Sequence, residues 1–131
     1  MSNAPHTYLV SQDYLGLRAV KRAIKHTNIK LVAARLPAEV VTRNVAILRP
    51  DLMIVVMNSC PSTQLAYNCF IKNLVVEHCP GVPLIFISPR SQKQVDCSFQ
   101  WRPKTIYIDD LSKSDTLDMA AEALLNQSRE L

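Results

Sequence analysis

A three-layer α/β domain with a five-stranded parallel sheet, strand order 2-1-3-4-5, is the fold the sequence predicts. Three observations predict it. Short apolar runs alternate with stretches of helical periodicity five times along the chain. The third run, DLMIVVMN over 51–58, is apolar without interruption, as suits a central parallel strand covered on both faces. With 131 residues, one domain can bury a core without disulfides or metals.

The elements follow in order. TYLVS (7–11) is the first strand. DYLGLRAVKRAIKHT (13–27) is predicted as the first helix, with Leu17, Val20 and Ile24 at helical spacing. IKLVAARL (29–36) is the second strand. PAEVVTRNVAIL (37–48) is predicted as one helix, opened by Pro37 and carrying Val41, Val45 and Leu48 on one face. After the third strand, STQLAYNCFIKNLVVEHC (62–79) is the third helix. Ser62 or Thr63 is its expected cap, and Cys79-Pro80-Gly81 its stop. VPLIFISP (82–89) is the fourth strand, and RSQKQVDCSFQWRP (90–103) is a short helix or a loop. KTIYIDD (104–110) is the fifth strand. SKSDTLDMAAEALLNQ (112–127) is the last helix, capped by Ser114, with Leu117, Ala121 and Leu124 facing inward. Right-handed crossovers reduce this series to a few open sheets, of which the flavodoxin-like order is the one expected. The core spans about 7–127 as a single domain, with 1–6 and 128–131 as flexible ends.

Composition narrows the function. No apolar run approaches the ~20 residues needed to cross a bilayer. MSNAPHTYLV lacks a basic segment followed by a long apolar one, so no secretory signal is read, and a cytoplasmic protein is expected. Cys60, Cys69, Cys79 and Cys97 form no CxxC pair and no zinc-ligand spacing; they read as cytosolic thiols, some of them buried like small apolar residues. The chain has two glycines and neither GxGxxG nor GxxxxGK[ST], which argues against Rossmann and P-loop nucleotide enzymes. The formal charge of +4 is spread along the chain and permits an acidic partner without requiring one.

In such a sheet, ligands bind beyond the carboxyl ends of the strands. Here those ends are Ser11-Gln12-Asp13, Met57-Asn58-Ser59, Ser88-Pro89 and Asp109-Asp110. Four segments, YLVSQDYLGLRAVKRAI, RPDLMIVVMN, PLIFIS and TIYIDDLSKSDTLDMAAEAL, together resemble the receiver domains of bacterial response regulators, the CheY-like domains of two-component signalling. The last segment is similar to LuxR-type transcription regulators in particular, and the resemblance covers nearly the whole chain. It implies two acids after the first strand to hold Mg²⁺, where this chain has Gln12 and Asp13. It places the phosphoacceptor at Val56, a metal-facing main-chain carbonyl at Asn58, the phosphate-following hydroxyl at Ser88 and the phosphate-pairing lysine at Asp109. Val55 and Met57, one residue to either side, are equally inert.

Phosphoryl transfer needs a nucleophile, a cation and a fixed positive group. At these positions the nucleophile is replaced by an alkyl side chain and the lysine by an acid. An atypical receiver that does not accept phosphate, is not an enzyme and carries no cofactor is therefore expected. Asp13, Asp109 and the Asn58 carbonyl form a sparse oxygen set for Mg²⁺ or Ca²⁺, or simply two loop acids. Ser88 can equally bond the backbone locally.

What remains is surface. The first helix carries Arg18, Lys21, Arg22 and Lys25, and the last carries Asp115, Asp118 and Glu122. The resemblance to LuxR-type receivers implies a dimer face on these helices, basic against acidic in a two-fold pair, or a heterodimer with another regulator. The alternative is two solvated faces that neighbour each other within one chain. No nucleic-acid-binding signature is present, so contact with DNA is expected only through a separate C-terminal domain. Other readings stay open: a small metal- or ligand-binding α/β protein working through the carboxyl-end loops, a free-standing adaptor, and a contact surface at Phe99, Trp101 and Arg102.

Overall fold

The computed structural model describes residues 4–40, 42–57, 61–78, 80–87, 104–108 and 116–129. Its strands are β1 (His6–Ser11), β2 (Lys30–Arg35), β3 (Leu52–Val56), β4 (Leu84–Ile87) and β5 (Thr105–Ile108). All are parallel, in the order β2-β1-β3-β4-β5. Its helices are α1 (Tyr14–Ala23), α2 (Thr42–Leu48), α3 (Pro61–His78) and α4 (Thr116–Arg129). The expected fold class and strand order are those found.

Alternation along the strands builds two cores. Tyr8, Val10, Met53, Val55, Met57 and Phe86 point to one face, where α2 and α3 cover them with Val45, Tyr67, Ile71, Leu74 and Val75. Leu9, Leu52, Ile54, Val56, Ile85, Ile87 and Ile108 point to the other, beneath Leu17 and Val20 of α1 and Leu117, Ala121 and Leu124 of α4. Every residue of β3 is buried, which explains why its sequence shows no polar alternation.

Three helices differ from expectation, α4 by running on through Arg129, past the expected end at 127 and into the segment expected to be flexible. The segment 37–48 is not one helix: a 3₁₀ turn over Pro37–Glu39 precedes α2, and Val40 between them is extended at φ −73°, ψ 122°. Glu39 closes the turn, its Oε1 accepting from the Leu36 amide at 2.8 Å. The β-branched run Val40-Val41-Thr42 then disfavours helical continuation. Of the three residues expected on one face, Val45 is fully buried, Leu48 is exposed rather than inward, and Val41 lies outside the described residues. The first helix likewise stops at Ala23 and tightens into a 3₁₀ turn, Ile24–His26. Thr27 ends it, its hydroxyl donating to the Ile24 carbonyl at 2.8 Å and accepting from the Ile29 amide at 3.2 Å. Because α3 begins at Pro61, Ser62 and Thr63 fall in its first turn and neither is the cap. Gly81, at φ 100°, supplies the left-handed residue after α3. The segment 90–103, with Phe99, Trp101 and Arg102, and Ser114 lie outside the described residues. No helix among the described residues is long and apolar enough to cross a membrane.

Candidate functional site

The carboxyl ends of β1 and β3 lie side by side, with Ser11 and Val56 in register. The Gln12 amide donates to the Val56 carbonyl at 3.1 Å, tying the β1–α1 connection to the end of β3. Ser11 is fully buried; its hydroxyl donates to the Asp13 carbonyl at 2.8 Å and accepts from the Asp13 amide at 3.3 Å. Asp13 is extended (φ −146°, ψ 169°) and forms the N-cap of α1, its Oδ1 accepting from the Gly16 amide at 2.8 Å. A carboxylate suits this place, where the unpaired amides of the first turn carry partial positive charge.

Val56 is 8 % exposed and turned toward α1 and α4. A Cβ added to Gly16 would stand 2.8 Å from Val56 Cγ1 and would also run into Ser11 Oγ. The first turn of α1 is thus pressed onto the end of the sheet, and the valine fills the space between them. Sequence reasoning missed Gly16 and Ser11. The available signal was a glycine within the first turn of a helix, a place where alanine is favoured by about 1 kcal/mol unless space forbids it.

Tyr67 was missed as well. From α3 its hydroxyl donates to the Val10 carbonyl at 3.2 Å, beneath the same strand end. Burial pushes its phenol well above the usual tyrosine range, and the negative charge of Asp13 adds to the shift. An unfolded tyrosine ionises near pH 10. The folded pKa is the higher of the two, so this contribution to stability is whole below about pH 10 and is lost as the pH rises beyond it. Tyr67→Phe is expected to lower stability by about 1 kcal/mol at pH 8 through the lost hydrogen bond. The gap between the two proteins should then shrink above pH 10. Urea midpoints at pH 8 and pH 10.5 check this, and a gap that stayed constant would rule the buried neutral phenol out.

Of the residues marked from the sequence, Gln12, Asp13 and Val56 are brought together, while Asn58, Ser88 and Asp109 lie outside the described residues. Within the described part, a hard divalent cation meets one carboxylate, Asp13, with one oxygen already accepting from Gly16. Gln12 is neutral and Val56 apolar. Among the described residues, no group of three or more His, Cys, Asp or Glu side chains is placed to hold a metal ion.

Arg18, Lys21, Arg22 and Lys25 are all exposed along α1 and its 3₁₀ extension. Among the described residues none of them makes an ion pair. Glu122 is exposed on α4, and Asp115 lies outside the described residues. Asp118 is half-buried, its Oδ1 accepting from the Asn28 amide at 3.3 Å. That acid therefore joins α4 to the end of the α1 segment within one chain instead of standing free on an outer face. Leu15 is 75 % exposed on α1 and Met119 is 63 % exposed on α4.

The whole chain is similar to solved receiver domains. Over 97 % of its length it matches 98 % of the signal receiver domain of a modulated diguanylate cyclase from Desulfovibrio desulfuricans, with a TM-score of 0.72 and 18 % identity. Over 93 % of its length it matches 99 % of the chemotaxis protein CheY4 of Vibrio cholerae, with a TM-score of 0.72 and 13 % identity. The receiver domain of nitrogen regulatory protein C follows, with a TM-score of 0.67, 15 % identity, and coverage of 98 % of this chain and 99 % of that one. No protein-family profile and no curated protein sequence matches the chain. Sheet order, the placement of helices on both faces and these likenesses agree: the chain has the fold of a CheY-like receiver domain.

Proposed function

We propose that this chain is an atypical receiver module that works without phosphorylation, as a dimerisation or regulatory element of a bacterial transcription regulator. The observation that carries the reading is Val56. The side chain at the phosphoacceptor position is a buried alkyl group closed over by Gly16. The neighbouring acid, Asp13, is engaged as a helix cap. Catalysis of its own phosphorylation would need a nucleophile and a neutralising cation at this point. The module is therefore not an enzyme, and its signalling state is set by what it binds. DNA is reached through a separate C-terminal domain.

The face formed by α1 and α4 supports the interaction role. Both helices pack on the same side of the sheet, and both present a large apolar side chain to solvent, Leu15 and Met119. Exposed apolar groups rimmed by charge are a common form of contact surface. In a two-fold dimer the basic stripe of α1 would meet Glu122 of its mate.

Sedimentation equilibrium across a dilution series, without phosphodonor, is expected to show a monomer–dimer equilibrium that weakens with salt. Leu15→Glu combined with Met119→Glu should shift it to monomer by at least tenfold in dissociation constant. Acetyl phosphate with Mg²⁺ should leave both the intact mass and the equilibrium unchanged. Phosphate mapped to the end of β3 would overturn the phosphate-independent reading. A monomer at every concentration would overturn the homodimer.

A further inference from the structure

At the opposite end of the sheet, a cavity of about 390 Å³ opens between the last turns of α2 and α3. Small-ligand sites occupy about 300–1,000 Å³, so a compact molecule fits. Its lining is mixed: Val45 and Pro50 lie buried beneath it, and Ala46, Pro80 and Val82 give its accessible apolar part. Arg49 and His78 supply the polar groups.

Two features set this place apart. Among the described residues, only Arg49 (φ 47°) and Gly81 (φ 100°) have positive φ, and both line this cavity. A Cβ added to Gly81 would meet nothing within 4 Å, so its glycine serves the backbone while the space beside it stays open. Arg49 is different. It occupies the left-handed position after α2, where glycine or asparagine is favoured and a Cβ is disfavoured. Residues held in such conformations cluster at binding sites. The chain places there a side chain that makes no ion pair among the described residues.

His78 is 26 % exposed beside it, with Glu77 Oε2 at 3.8 Å from its Nε2. The Arg49 guanidinium is the permanent cation of this pocket. Cations after the ends of α2 and α3 also complement the helix dipoles. That accounts for positive charge here, but not for the open pocket beside it or for an arginine at a turn that glycine would serve better.

We propose that this cavity binds a small organic anion. A small flat body would lie against Ala46, Pro80 and Val82, and a carboxylate or sulfonate would meet the Arg49 guanidinium, with His78 as a second donor. The site is independent of the receiver-like end of the sheet and of the α1–α4 face.

The test uses two probes of the same shape, indole-3-acetate and uncharged indole-3-acetamide, titrated into the full chain and followed by backbone amide NMR. Indole-3-acetate is expected to give saturable shifts centred on Val45, Arg49, His78 and Val82, with a dissociation constant at least tenfold below that of the amide. Arg49→Gly is expected to abolish that advantage while raising the urea midpoint, because glycine relieves the left-handed position. Equal binding of the two probes, shifts centred elsewhere, no saturable shift, or an acid preference that survives Arg49→Gly would each overturn the proposal.

Discussion

Gly16→Ala should destabilise the protein by about 2 kcal/mol, although the same change in most helices stabilises. The ordinary expectation is a gain of about 1 kcal/mol, since alanine is the better helix former. Here the added methyl has nowhere to go. It would stand 2.8 Å from Val56 Cγ1 and against Ser11 Oγ, both on buried side chains at strand ends in the middle of the sheet. Neither is the loose end of a long side chain. Relief requires α1 to lift, which strains the Asp13 cap and the packing of Leu17 and Val20. Overpacking of this kind costs about 1–3 kcal/mol, enough to reverse the helical gain. Urea unfolding gives the sign directly. The pair Gly16→Ala with Val56→Ala gives the cause: removing Val56 Cγ1 opens space for the new methyl. The double variant should therefore be more stable than the sum of the single changes by about 1 kcal/mol. A stabilising Gly16→Ala would show that helix and strand end are not in close contact, and strict additivity would make Ser11, not Val56, the obstacle.

The parts of this fold that follow from periodicity were legible in the sequence. Alternation of strands and helices gave the sheet, and the apolar run at 51–58 marked its centre because both faces of β3 are covered. Helix ends were less legible, since they depend on side-chain contacts with the backbone. Glu39 folding back on Leu36 broke the segment 37–48, and the Thr27 hydroxyl ended the first helix early. At the candidate site, Val56 was marked by the resemblance to receiver domains, and the strand order sets the end of β3 beside that of β1. The partners of Val56 were not marked. Ser11 and Tyr67 act through the third dimension, from positions 45 and 11 residues away in sequence, and Gly16 matters for the atom it lacks. Asp118 was read either as part of a dimer face or as a solvated face beside the first helix, and its hydrogen bond to the Asn28 amide is a contact within one chain of the kind that the second reading allows.

Val56→Asp is the sharpest test of the proposal that this module works without phosphorylation. It places a carboxylate where the resemblance to receiver domains implies the phosphoacceptor, and changes nothing else. If the surroundings were still those of a working receiver, the new carboxylate would be welcomed by a cation and by water. Instead the side chain enters an apolar cluster with Leu17, Ile54, Ile87 and Leu117, against the backbone of α1. An ionised carboxylate there is poorly solvated, so its pKa in the folded state rises above the unfolded value of about 3.9. Each unit of that rise removes about 1.4 kcal/mol at neutral pH, and a rise of two to three units removes about 3–4 kcal/mol. That is a large share of the ~5–15 kcal/mol typical of a single domain. The sign follows from linkage. The folded state holds the proton more tightly, so the penalty relative to Val56 is smallest below about pH 4 and grows as the pH rises through the elevated folded pKa. Val56→Asn is the control: polar and nearly isosteric with the acid, it should destabilise by an amount that does not depend on pH. Urea midpoints of the three proteins from pH 4.5 to 8 read this directly. A penalty from Val56→Asp that stayed flat over that range would mean that the carboxylate reaches a cation or solvent. The same variant is expected to stay unmodified by acetyl phosphate and Mg²⁺. A nucleophile alone supplies neither the second metal acid, where the chain has Gln12, nor the fixed positive charge that the transferring phosphoryl group requires.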